Sequence, residues 1–178
     1  LAKRLTSQGL QPKIFVGSRR GFLRILSFYQ FVPKPSPPIT SRVNIIESRV
    51  AELTKALVNL TSVTSVVESF DPQKHSVTEF IEIALSGALA NRASDIHFES
   101  EERAVRLRYR VDGLLHDVTK RLAPDFYRSI VSRIKLLSNL KLNIRDHPQD
   151  GRFTIGFAAK EIEMRVAVAP SEFGEVIV

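Results

Sequence analysis

The 178-residue chain has no cysteine, no tryptophan and a single methionine. Without cysteine there is no disulfide framework, no thiolate zinc site and no cysteine nucleophile. The four histidines are scattered along the chain and do not replace those ligands. Long apolar runs are also missing. Every stretch falls well short of the roughly 20 residues that cross a bilayer, and the N-terminus shows no apolar core ending in a cleavage site. These absences lead to the expectation of a soluble, intracellular protein without a transmembrane segment. A phosphate-binding loop needs a lysine and a hydroxyl after a glycine-rich turn, and none of the eight glycines is followed by lysine. The patterns G-x-S-x-G and H-E-x-x-H and an EF-hand loop are absent too. The chain is therefore expected to hold no catalytic residue, no metal and no cofactor of its own, and not to hydrolyse a nucleotide alone.

What is there begins with charge. The formal net charge is +7, and residues 1–69 account for all of it, with ten Lys and Arg against three acids. The remainder is balanced. A basic segment of this kind raises the possibility of a nucleic-acid partner.

With 43% hydrophobic residues, the chain can bury one core and carry an appended piece. Prolines divide it. Lys13–Gly17 reads as a short strand and Phe22–Gln30 as a short helix, the end of a βα unit. Pro33-Lys34-Pro35-Ser36-Pro37-Pro38 favours an extended spacer. After Ser41, Val43, Ile46, Val50, Leu53, Leu57 and Leu60 alternate steps of four and three. The pattern fits a linker helix laid on its own domain or a docking helix for a partner. Ser76 and Glu79 form a capping box, and Val77, Phe80, Ile81, Ala84, Leu85, Ala88 and Leu89 make one apolar helical stripe.

The period then changes to two. Ile96 and Phe98 alternate with His97 and Glu99, and Val105, Leu107, Tyr109 and Val111 alternate with Arg106, Arg108 and Arg110. Asp112-Gly113 is a hairpin turn and Leu114–Val118 the returning strand. Pro124 opens a helix to Leu140, with Arg133 and Lys135 off its apolar stripe. Arg152–Phe157 and Glu161–Val168 make a second hairpin. The fold class is α+β, an antiparallel sheet of two hairpins with packed helices, preceded by a linker and a short βα remnant.

Three arginines on one strand face could hold phosphate or an RNA backbone, or could form a solvated, salt-bridged face. Single-stranded RNA would also want exposed aromatics, and alternation turns Tyr109 inward. His97 and Glu99 share a face, yet no third group orients them, so a structural role outweighs acid-base chemistry. Asp150-Gly151 reads as a turn, with Gln149 and Asp150 capping it or meeting a partner.

From about Val77 to Val178 the chain resembles the second N-terminal domain of the type II secretion and type IV pilus assembly ATPases. The likeness rests on Ala93-Ser94-Asp95-Ile96-His97-Phe98-Glu99, Arg108-Tyr109-Arg110-Val111-Asp112-Gly113-Leu114-Leu115, Ser132-Arg133-Ile134-Lys135, Pro148-Gln149-Asp150-Gly151-Arg152, Arg165-Val166, Pro170 and Gly174-Glu175. Positions 10–29 resemble the end of the preceding domain. The resemblance implies a division into 1–32, the end of that domain; 33–75, the Pro-rich linker and linker helix; 76–169, a PAS-like domain; and 170–178, the start of a linker to a RecA-like ATPase domain that is absent. It implies Arg108, Arg110, Arg133 and Arg152 as contacts to nucleotide phosphate, and Asp95, His97, Asp112, Gln149 and Asp150 at interdomain contacts. ATP and magnesium would be held mainly by the absent domain. The implied partners are that domain, neighbouring subunits of a homohexamer and inner-membrane platform or adaptor proteins. The implied location is the cytoplasm, at the inner membrane. The implied function is a regulatory and coupling part that moves with hydrolysis. A nucleic-acid-binding module using the basic N-terminal segment, or a non-catalytic adaptor, is the alternative, and the resemblance makes nucleic acid the lesser partner. One departure stands out. The family usually has Glu and Arg where this chain has Ile144 and Asp146, so either Arg145 substitutes or the parent is less active.

Overall fold

The computed structural model describes residues 18–28, 42–43, 47–157 and 160–178. The expected strand at 13–17 and the Pro-rich segment lie outside these. The chain divides into two compact units, 1–39 and 40–178. In the first, helix α1 spans Arg19–Phe28, with Ser18 Oγ accepting from the Gly21 amide at 3.1 Å.

The second unit is built in the order β1 (Arg42–Val43), α2 (Glu47–Ala56), α3 (Leu60–Glu68), α4 (Val77–Ala90), β2 (Asp95–Ser100), β3 (Val105–Val111), β4 (Leu114–Leu122), α5 (Pro124–Leu137), β5 (Gln149–Phe157), β6 (Lys160–Ser171) and β7 (Gly174–Ile177). One sheet runs β1-β5-β6-β7-β2-β3-β4. Six strands pair antiparallel, and the two-residue β1 pairs parallel with β5 at the edge. The α+β architecture read from the sequence is the one observed.

Local chemistry explains most elements. Ser76 and Glu79 close their capping box, with the Glu79 amide donating to Ser76 Oγ at 3.2 Å and the Ser76 amide to Glu79 Oε2 at 2.8 Å. Asp112 and Gly113 have φ of 49° and 80°, the left-handed pair that a tight hairpin turn demands. Pro124 stands in the first turn of α5.

Three local expectations differ. The single helix read over 43–60 is two: Val43 lies in β1, α2 ends at Ala56, and Asn59 caps α3 by accepting from the Ser62 amide at 2.8 Å. Asn91 Nδ2 pins the break by donating to the Leu57 carbonyl at 3.0 Å. Helix α4 is buried nearly all round from Phe80 to Ala88, Glu82 and Ser86 included, because α2, α3 and α5 all pack against it. Residues 170–178, expected to begin a linker, carry the end of β6 and all of β7, the strand that joins the two halves of the sheet.

The core lies between the helices and one sheet face. Tyr109, Leu107 and Val105 point into it from β3, and Tyr109 Oη donates to the Ala84 carbonyl of α4 at 2.6 Å. Burial pushes the Tyr109 phenol up, so it stays protonated. Phe70, Phe80 and Phe126 form a cluster with centroids 5.1 to 5.7 Å apart, in which Phe80 meets the other two edge-to-face. The opposite face of the sheet carries no described helix of this unit, and there the polar residues of the alternating strands stand.

Candidate functional site

On the helix-free face, β2 and β3 set acids against bases. Register pairs Asp95 with Arg110, His97 with Arg108 and Glu99 with Arg106, so each arginine has a carboxylate within one position. Arg110 Nε meets Asp95 Oδ2 at 3.0 Å. Arg108 is bonded to Glu99. Arg106 Nη2 meets Glu101 at 2.9 Å, and its Nε lies 3.6 Å from Asp117, beyond hydrogen-bond reach. The row is a ladder of ion pairs, which neutralises most of its own charge. Tyr109 is buried on the other side, so these strands offer no stacking platform for bases.

His97 sits within this ladder. Its side chain is 13% exposed and its Nδ1 is 3.8 Å from Glu99, while its Nε2 is buried without a hydrogen-bond partner. Burial lowers its pKa; Glu99 opposes the shift and Arg110 reinforces it. The imidazole is thus wedged between charged neighbours of both signs. Asp95 also accepts from Ser94 Oγ at 2.9 Å, and Asp112 is taken up by the hairpin turn.

Arg152 stands apart from that ladder. On the β5–β6 hairpin it lies directly opposite Arg165, and both are exposed. Its only ion-pair partner among the described residues is Glu163, at 3.4 Å, with both side chains more than half exposed. Like charges directly opposite on a sheet repel, so this pair leaves a local excess of positive charge. Arg165 was not among the candidate site residues. The signal that would have found it is the hairpin register, which depends on where the turn falls.

Gly151 in the same motif is no turn residue. It lies within β5, and a Cβ there would meet the Ser138 carbonyl oxygen at 2.5 Å. The glycine lets β5 press against the end of α5. Gln149 braces the loop before the strand: its Oε1 accepts from the Lys141 amide at 2.9 Å, and its Nε2 donates to the carbonyls of Lys141 and Ile144 at 3.0 and 3.1 Å. Lys135 Nζ donates to the same Ile144 carbonyl at 2.7 Å and pairs with Glu175 at 2.5 Å. Asp150 and Arg145 are exposed. Asp146 is engaged by His147, whose hydrogen bond is the main cause of its lowered pKa.

The structure does not bring the four candidate arginines together. Arg108 and Arg110 lie four strands from Arg152, roughly 19 Å at the usual strand spacing, and Arg133 is on α5, on the helical side. Arg133 Nε is buried without a hydrogen-bond partner. Among the described residues no group of His, Asp and Glu could hold a metal ion, and no helix is long and apolar enough to cross a membrane.

The family described as type II/IV secretion system protein matches residues 71–178, well over half of the chain. A protein described as a HofB homolog in protein transport, from Escherichia coli, is 37% identical over 64% of this chain and 24% of its own length. The type IV pilus assembly ATPase PilB of Myxococcus xanthus is 39% identical over 57% of this chain and 18% of its own. The type II secretion system protein HxcR of Pseudomonas aeruginosa is 36% identical over 76% and 28%. The chain thus spans about a fifth to a quarter of the length of these relatives.

Proposed function

Because the chain belongs to the type II/IV secretion system protein family, we propose that it is the regulatory and coupling part of a hexameric secretion or pilus assembly ATPase. In this reading the longer polypeptide contains an ATPase domain, and this part presents arginines to the phosphates of ATP bound there, from the same or a neighbouring subunit. ATP with magnesium, held mainly by that domain, supplies the transferable phosphoryl group. In this reading the machine works at the inner membrane with platform proteins; the support is that relatives are named for type IV pilus assembly and type II secretion.

One observation supports the phosphate role: the exposed pair Arg152 and Arg165, directly opposite on the hairpin, with Glu163 loosely held by Arg152 alongside. A guanidinium donates in a planar fork that matches phosphate oxygens, and two facing each other gain most from an anion. Arg133, with its unsatisfied Nε, is the second contact. Arg108 and Arg110 would first have to leave Glu99 and Asp95, so they are held in reserve as partners that exchange when the domain moves.

The test is the ATPase rate and hexamer content of the full-length parent. Arg152→Ala is expected to lower the rate by about tenfold or more, within the range for an arginine that stabilises transferring phosphate, with hexamers retained. Arg108→Ala is expected to cost stability first. Unchanged rates in both Arg152→Ala and Arg133→Ala would sink the phosphate role, and measurable hydrolysis by the 178 residues alone would overturn the division of labour.

A further inference from the structure

Helix α1 carries charge of one sign, and its own unit holds nothing to answer it. The first acid in the chain is Glu47, and eight lysines and arginines precede it. Seven of them belong to the compact unit 1–39, so no carboxylate side chain of that unit can pair with them. Arg19 and Arg20 stand at the start of α1, whose first turn holds no acid. The backbone amides make the N-terminal end of a helix positive, so two cations placed there work against the helix. A placement that local stability disfavours points to a role outside folding.

The residues around these arginines show which role. With about 3.6 residues per turn, Arg19, Arg20, Leu23, Arg24 and Ser27 fall on one half of the helix, and Phe22, Ile25, Leu26 and Phe28 on the other. Arg19, Arg20 and Arg24 are exposed, and Leu23 is 55% exposed. Arg19 and Arg20 lie one turn before Leu23 and are its neighbours on the helix surface. A single exposed leucine needs no explanation by itself. Set among three arginines it matches a layer of lipid headgroups, where guanidinium groups take phosphate and an aliphatic side chain enters the acyl boundary.

We propose that this face of α1 docks on an anionic lipid bilayer surface, with Arg19, Arg20 and Arg24 on lipid phosphates and Leu23 inserted between the headgroups. The other bases of the unit add attraction to a negatively charged leaflet. A nucleic acid would answer the charge as well, but its phosphate backbone rewards the arginines alone and gives Leu23 nothing to enter. The two contributions also respond differently to salt. Screening weakens the attraction of the arginines and leaves the burial of the leucine in place.

This inference goes beyond the family reading, in which platform proteins stand between the machine and the membrane. It uses none of the arginines assigned to the phosphates of ATP.

The test is co-sedimentation of the 178-residue chain with vesicles of equal parts phosphatidylcholine and phosphatidylglycerol, beside vesicles of phosphatidylcholine alone and beside single-stranded RNA. Binding is expected on the anionic vesicles only, and it is expected to weaken as salt is raised. Arg19→Gln combined with Arg20→Gln is expected to weaken it about 30-fold, at roughly fivefold for each charge. Leu23→Ser is expected to weaken it about tenfold. Leu23→Phe is expected to tighten it, a gain that a misfolded variant would not give. Equal binding to the two kinds of vesicle overturns the proposal, as does no binding to the anionic ones or an affinity that neither Leu23 variant moves. RNA binding at least as tight as vesicle binding, and unchanged in both Leu23 variants, would assign the face to nucleic acid instead. The ATPase rate of the Arg152→Ala parent bears on the phosphate role alone and leaves this result standing.

Discussion

Two residues show how a motif acquires its physical meaning. Gly151 was legible as punctuation, and its neighbours suggested a turn, yet it is held in a strand by the nearness of a backbone carbonyl. Gly151→Ala is expected to destabilise the domain by about 2 kcal/mol or more, because a backbone oxygen cannot swing aside as a side chain can; a shift of the denaturant midpoint at unchanged slope measures this. His97 makes a pH prediction. Its pKa is lowered in the folded state, so the unfolded chain binds the extra proton as pH falls. Stability is full above the unfolded value near 6.5 and is lost as pH falls below it. His97→Gln is expected to flatten this decline between pH 7.5 and 5.5. Parallel profiles for the two proteins would show that another group titrates.

At the scale of elements, the periods of 3.6 and 2 marked α4, α5 and the two hairpins, since each pattern is local. Helix α3 escaped this reading. Its Leu60–Glu68 stretch is rich in Val, Thr and Ser, residues of modest helix propensity, and its cap pairs Asn59 with Ser62 rather than with Glu or Gln. Its stability comes from Val63 and Val67 buried against α4, where Gly87 leaves room: a Cβ there would lie 2.9 Å from Val63. The join between α5 and β7 is electrostatic. Lys135, 1% exposed, meets Glu175, 13% exposed. Lys135→Met leaves that carboxylate unpaired and is expected to cost about 3 to 5 kcal/mol, whereas Lys135→Met with Glu175→Leu is expected to recover most of the loss. Thermal unfolding of the two variants distinguishes a buried pair from simple packing, which would penalise the double variant more.

For the whole molecule, strand order matters more than strand identity. The two hairpins are not neighbours: β7, last in sequence, enters between β6 and β2 and makes one sheet of them. The arginines consequently divide. Those on β3 find Asp95, Glu99 and Glu101 beside them and form a ladder, while Arg152 and Arg165 face each other at the far side with one weak acid. These five arginines are thus two kinds of group, and the proposed phosphate role is assigned to the facing pair, whose described carboxylate partner, Glu163, lies 3.4 Å from Arg152.

The sequence by itself determined the α+β class, the capped helix at Val77, the tight turn at Asp112-Gly113, the inward face of β3 and the family to which the motifs point. Each of these rests on residues within a few positions of one another, where propensity and alternation suffice. The tertiary structure alone decided which arginines are neutralised, that Gly151 serves a close approach, that Arg165 stands opposite Arg152, and that residues 174–177 are the strand joining the two halves of the sheet. Those depend on register between segments distant in the chain, and a shift of one residue in register would turn every side chain to the other face.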